Sequence, residues 1–289
     1  MRAFEYERPA HLDDALALLS RHGLEARPLA GGTDLIIRLR DGTIRPRVVV
    51  DLKRIAELEG QIRDNDVGIT IGARTVMTDI AADARIRRDF PALAEAASVV
   101  GAVQIRNRAT LAGNVCNASP AADTAPALLV YGAAVVAYGA AGVRRVPIDE
   151  FFVRSGVTTL ARDELVVVLE LPRPPGRQGS VHVRRTRRRG HDLASVTLAC
   201  AVSSDGITRL AYGSVGPRPI LVVDETGLLA DPSAPEQAKL RRLEVLLVDA
   251  SPSPRSMRAS PEYRLAMLEL LALRAVCTAI ERLAGGAAA

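Results

Sequence analysis

The sequence has no tryptophan, and only 3% of its 289 residues are aromatic. Proteins that bind single-stranded nucleic acid stack bases on aromatic rings, so that class starts at a disadvantage. Cysteine is equally scarce. Cys116, Cys200 and Cys277 are odd in number and far apart, which excludes a disulfide framework and fits a reducing compartment. They also lack the close pairing that zinc or iron-sulfur ligation requires, and there are only four histidines. No metal is expected in this chain. The opening MRAFEYERP is charged and has no apolar segment, so no secretory signal and a cytoplasmic location are expected.

Long hydrophobic runs are nearly missing as well. Residues 124–143 carry no charge and have the length of a membrane span. Pro126 and three glycines interrupt them, however, and alanine outnumbers leucine and isoleucine. A helix, a turn and a strand are expected there, and no span. What the chain does have is core material: 48% of its residues are hydrophobic, enough for two domains or one elaborate one. The net charge of +5 sets 38 basic against 33 acidic residues, so the basic excess is modest and local.

Leu12, Ala15, Leu16 and Leu19 recur at helical spacing and predict an amphipathic helix over 11–22 that stops at Gly23. Strands are expected at 48–52, at 67–73, where the residues alternate, and at 164–171. Between the last two, Ile80, Ala81 and Ala84 mark one helical face, and Leu93, Ala94 and Ala97 another. The prolines and glycine of 172–176 read as a linker. Beyond it, 193–202 and 207–215 read as paired strands around Ser204, Asp205 and Gly206, and 235–248 and 261–284 as helices.

Two stretches carry the chemistry. The first is Leu29-Ala30-Gly31-Gly32-Thr33-Asp34-Leu35. A double glycine before Thr-Asp can present successive N–H groups as a nest for phosphate, and the threonine hydroxyl adds a donor. A plain tight turn is the competing reading. The second runs through Thr110-Leu111-Ala112-Gly113-Asn114 to Asn117, Ser119 and Asp123. Its polar side chains suit hydrogen bonding but include no acid-base pair or nucleophilic triad, the profile of a site whose ligand brings its own chemistry. Cys116 within it has no basic neighbour to activate it and reads as a packed small residue. Residues 182–189, HVRRTRRR, form the most basic patch. They suit a solvated strand edge, an anion site or a partner surface.

With these residues laid out, the chain resembles, nearly end to end, the medium, FAD-binding subunit of the molybdenum hydroxylase family. The likeness is carried by LAGGTDL, by IRNRATLAGN through SPAADTAPALL, by the approach to the strand ending at Leu171-Pro172, by RRGHDLA at 188–194 and by the late helix SPEYRLAMLELLALRAV. The resemblance implies an α+β protein: a two-part FAD-binding domain of the vanillyl-alcohol-oxidase-like (PCMH) type, residues 1–55 and 56–175, then a smaller C-terminal domain, 176–289, with a three-stranded antiparallel sheet and helices. It implies that residues 29–35 and 110–114 grip the pyrophosphate and ribityl chain, that Asp123 is a cofactor-binding residue, and that Val166 lies near the flavin ring.

Many relatives carry a lysine close to the flavin, eight residues before a particular aspartate; counting back from Asp192, this chain has Arg184. Arginine keeps its positive charge but hardly gives up a proton, so tuning of the flavin potential is expected there and proton transfer is not. The resemblance further implies an electron relay: a molybdopterin large subunit and an iron-sulfur small subunit, in a dimer of heterotrimers, deliver electrons to FAD here for an external acceptor. Two other readings compete, a stand-alone FAD-dependent reductase and a flavin-free structural or nucleic-acid-binding subunit that uses the basic patch.

Overall fold

The computed structural model describes residues 2–188, 190 and 192–285. A parallel sheet opens the chain. It comprises β1 (Glu5–Glu7), β2 (Ala26–Leu29) and, between them, β3 (Val48–Asp51). The β3 strand is Val-Val-Val-Asp with every residue buried, as a strand covered on both faces requires. Crossing from β1 to β2 is α1 (Leu12–His22), whose buried residues are the four leucine and alanine positions read from the sequence. Gly23 ends it at φ 50°. After β2 the chain turns through residues 30–34 into α2 (Leu35–Arg40).

The middle unit is a five-stranded antiparallel sheet in the order β4 (Ile62–Asn65), β5 (Gly68–Gly72), β10 (Leu165–Pro172), β6 (Ala134–Gly139), β7 (Gly142–Pro147). Between β5 and β6 run α3 (Met77–Ala82), α4 (Ala84–Asp89), α5 (Pro91–Ser98), α6 (Val103–Arg106), α7 (Leu111–Asn117) and α8 (Thr124–Val130). Between β7 and β10 lie α9 (Ile148–Phe151) and a small hairpin of β8 (Phe152–Arg154) and β9 (Val157–Thr158). The face expected to hold Ile80, Ala81 and Ala84 together is divided, because the Asp83 carboxylate accepts from the N–H groups of Arg85 and Ile86 and starts α4 as a new helix. The uncharged run 124–143 resolves into α8, a turn at 131–133 and β6. No described helix is long and apolar enough to cross a membrane.

The C-terminal sheet departs from expectation, with four strands in place of three: β11 (Gln178–Arg185), β12 (Val196–Ser203), β13 (Thr208–Gly213) and β14 (Ile220–Asp224), all antiparallel. The edge strand β14 follows Pro217 and Pro219, which read as loop. Helices α10 (Glu236–Leu246) and α11 (Pro261–Gly285) complete the unit. Alternation along β12 explains the layering. Leu198, Cys200 and Val202 share a core with Leu268, Val276 and other α11 residues, whereas Ala199 and Ala201 belong to the core that includes Leu128 and Leu129 of α8. The sheet therefore lies between α8 and α11, and the small alanines let α8 come close.

Two buried carboxylates brace these units. Asp51, 1% exposed, accepts from the Tyr6 hydroxyl and faces Lys53 Nζ at 2.6 Å. Asp224, fully buried, accepts from Arg242 Nε at 2.8 Å, Thr226 Oγ1 at 2.7 Å and Leu229 N–H at 3.1 Å. Burial alone would raise both carboxyls, but these hydrogen bonds outweigh it and hold them below the usual range. A carboxyl depressed on folding adds stability above its unfolded value, and that stability disappears as pH falls through the folded one. We therefore expect the unfolding free energy to decline below about pH 4, and Asp224→Asn to flatten that acid limb in urea titrations. A variant profile parallel to that of the unmodified chain would show that Asp224 has no such role.

Candidate functional site

The two chemistry-bearing stretches meet. Leu29 and Leu35 anchor the first turn at both ends, packing with Leu39 and Val49 in a small core of their own. Between these anchors Gly31 sits so close to the second stretch that a Cβ would lie 2.1 Å from the Arg108 carbonyl oxygen and 2.9 Å from its carbon. No side chain fits there. Gly32, at φ 79°, adopts the left-handed backbone that glycine allows without strain. Among the described residues, none of the N–H groups of Gly31, Gly32, Thr33, Asp34 and Leu35 donates a hydrogen bond within the chain. Five successive donors are thus available to something outside it. Arg38 fastens the arrangement by donating to Asn117 Oδ1 at 2.8 Å.

The second stretch is anchored from below. Thr110 caps α7, its hydroxyl oxygen accepting from Gly113 N–H at 3.1 Å, so its own proton remains free to be donated. Leu111 is fully buried and Ala112 5% exposed, so both belong to the core. Asn114 accepts from the Thr124 hydroxyl at 2.7 Å through Oδ1, leaving its NH2 group without a partner among the described residues. Val166 lies at a register shift in β10, 6% exposed and part of the core on which α7 packs. Cys116, read as packed, is exposed on α7; its side of the helix is not apparent from spacing within so short an element.

Asp123 and Arg184 come together from units far apart in sequence. Arg184 Nη1 donates to Asp123 Oδ2 at 2.8 Å, and both side chains are largely buried. The other oxygen, Oδ1, is buried with no hydrogen-bond partner. His182 Nε2 stands 3.6 Å from it and 3.0 Å from Thr197 Oγ1, while its backbone N–H donates to Glu95 Oε2 at 2.8 Å. The sequence reading missed His182 because it stands in a run of arginines that reads as a charged surface. Its strand alternation was the available signal, since His182 and Arg184 share one face of β11. The patch is in fact divided: Arg185 bonds Tyr263 and Arg187 pairs with Asp192. Arg189 and His191 of this region lie outside the described residues.

These features fit a pyrophosphate-bearing cofactor. Unpaired N–H groups in a glycine turn, free hydroxyl and amide donors and an orphaned buried carboxylate oxygen are what such a ligand would engage. Among the described residues no group of three or more histidine, cysteine or acidic side chains could hold a metal ion.

The fold and this site define a subunit built to hold a pyrophosphate-bearing cofactor, and comparison with known proteins identifies its family. Residues 2–174 match the FAD binding domain in molybdopterin dehydrogenase, and residues 182–279 the CO dehydrogenase flavoprotein C-terminal domain. The chain belongs to this family of FAD-binding subunits of dehydrogenase complexes. It is 34% identical to the xanthine dehydrogenase FAD-binding subunit of Escherichia coli O157:H7 over 97% of each chain, and 29% identical to the carbon monoxide dehydrogenase medium chain of Hydrogenophaga pseudoflava over 97% of this chain and 98% of that one. Among solved structures, the carbon monoxide dehydrogenase of H. pseudoflava that lacks the Mo-pyranopterin moiety superimposes with a TM-score of 0.89 at 29% identity, covering 97% of this chain and 98% of that one. The reconstituted enzyme from Oligotropha carboxidovorans gives 0.90 at 28%, covering 97% and 99%.

Proposed function

We propose that this chain is the flavin relay of a cytoplasmic molybdenum-containing dehydrogenase. It receives electrons from iron-sulfur clusters on a small partner subunit, themselves supplied by a molybdopterin large subunit, and passes them to an external acceptor. The observation that carries this reading is the closure of the 30–34 turn on Arg108, which leaves five N–H donors unpaired beside the α7 residues. Bound flavin would supply the redox chemistry, taking electrons one at a time and releasing them to the acceptor. The chain's own part is to bind, orient and tune.

In this reading the N–H groups from Gly31 to Leu35, with the Thr33 hydroxyl and the Asn114 amide, hold the pyrophosphate and ribityl chain. Leu29, Ala30, Leu35, Leu111 and Ala112 set the positions of those donors. Asp123 Oδ1 waits for a hydroxyl or N–H of the ligand, and Val166 offers an apolar wall. Residues 1–55 and 56–175 form the two halves of the cofactor domain, and 176–289 contribute Arg184.

Arg184 acts here as half of a pair, since Asp123 takes one of its N–H groups. Arg184→Met would leave the Asp123 charge without its counterion and disfavour the more negative, reduced flavin. The midpoint potential should fall by about 30 mV or more, which for a two-electron couple is about 1.4 kcal/mol. An unchanged potential in spectroelectrochemical titration would remove Arg184 from the tuning role.

The relay is tested by purifying the tagged chain with its native partners. Iron and molybdenum should co-purify in a complex whose mass fits two copies each of three subunits, and both should be missing from the chain alone. A metal-free chain that reduces acceptors by itself would favour a stand-alone reductase.

A further inference from the structure

A cavity of about 550 Å³, whose lining shares no residue with the candidate flavin site, lies where the middle and C-terminal units meet. Its volume is in the range of small-molecule sites. Its apolar lining comes from Ala81, Pro91, Ala94 and Leu283, and its remaining surface is rich in guanidinium groups. Three of these arginines already have acidic partners: Arg88 pairs with Asp89, Arg173 with Asp64 and Arg282 with Glu95. Arg87 and Arg177 do not; among the described residues neither makes an ion pair.

Both are exposed, and each makes one hydrogen bond to a carbonyl. Arg87 Nε donates to the Ala81 carbonyl at 2.6 Å, and Arg177 Nη2 to the Leu283 carbonyl at 2.7 Å. Each guanidinium is thereby held by one nitrogen while its others stay open. One comes from the end of α4 and the other from the linker into β11, so the two units each contribute a guanidinium without an acidic partner among the described residues. Planar guanidiniums held in this way select bidentate oxyanions, phosphate above all.

We propose that this cavity binds a nucleotide-sized phosphorylated molecule. Its phosphates pair with Arg87 and Arg177, which both line the cavity, and its ring or chain lies on the apolar lining. This site is separate from the flavin site, and its occupancy does not depend on the relay reading.

The test uses the full chain loaded with FAD and three probes, ADP, inorganic pyrophosphate and adenosine, followed by isothermal titration. ADP should bind, pyrophosphate more weakly, and neutral adenosine at least tenfold more weakly than ADP. R87M/R177M should weaken ADP at least tenfold while flavin content and thermal midpoint stay unchanged; should the double variant fold poorly, R177M alone on the exposed linker should show a smaller loss of the same sign. Any of three results would overturn the proposal: no binding by the FAD-loaded chain, binding that the variants leave intact, or ADP held no more tightly than pyrophosphate.

Discussion

Gly31→Val should yield a folded chain almost without flavin. The added side chain begins at a point 2.1 Å from the Arg108 carbonyl oxygen and 3.0 Å from the Ala109 Cα, and backbone atoms cannot rotate out of its way. The two stretches must separate by more than 1 Å, which is enough to spoil a set of hydrogen bonds made to one rigid ligand; affinity should drop on the order of a hundredfold. Thr33→Val removes one hydroxyl without forcing anything apart, so its loss should be about 1 kcal/mol, roughly fivefold. Flavin content after gel filtration, with far-ultraviolet circular dichroism as a control for folding, separates the two. Full flavin occupancy in the Gly31 variant would mean that the closure of the turn on Arg108 is not what builds the site.

The second large effect concerns the C-terminal unit. Gly179 in β11 lies against α11 so tightly that a Cβ would stand 2.0 Å from the Ala279 carbonyl oxygen and 2.5 Å from Leu283 N. Overpacking against side chains costs about 1 to 3 kcal/mol because rotamers can adjust. Here the obstacle is helix backbone, so Gly179→Val should cost at least about 3 kcal/mol and unseat α11 from Val181 and Leu198. Urea unfolding followed by circular dichroism would show an early transition for this unit. An unshifted midpoint would mean that helix and strand can move apart freely.

Much of this architecture is legible from local pattern. The period of Leu12, Ala15, Leu16 and Leu19 places α1 to within a residue, and the alternation at 67–73 and the apolar run at 164–171 place β5 and β10. The uncharged segment at 124–143 is read correctly because proline and glycine punctuate it. Local pattern fails where the determining contact is distant. Gly31 reads as a residue that lets backbone approach a ligand, whereas what it first admits is the backbone of Arg108, which no spacing reveals. The pairing of Arg184 with Asp123, and the burial of His182 beside them, depend on how β11 docks against α5 while its neighbours β12 and β13 pack on α8. A run of arginines seen one residue at a time reads as surface. The fourth strand of the C-terminal sheet was hidden by the prolines before it, because a short edge strand needs little pattern of its own when β13 supplies its hydrogen bonds.

The central claim is that the meeting of residues 29–35 with 108–114 is a flavin site. The most direct test is the visible absorption spectrum of the purified chain, with the cofactor released by denaturation and identified by chromatography. The account predicts a yellow protein that releases close to one equivalent of FAD, with the flavin lost in the Gly31→Val variant. A colourless chain that also failed to take up added FAD would contradict it.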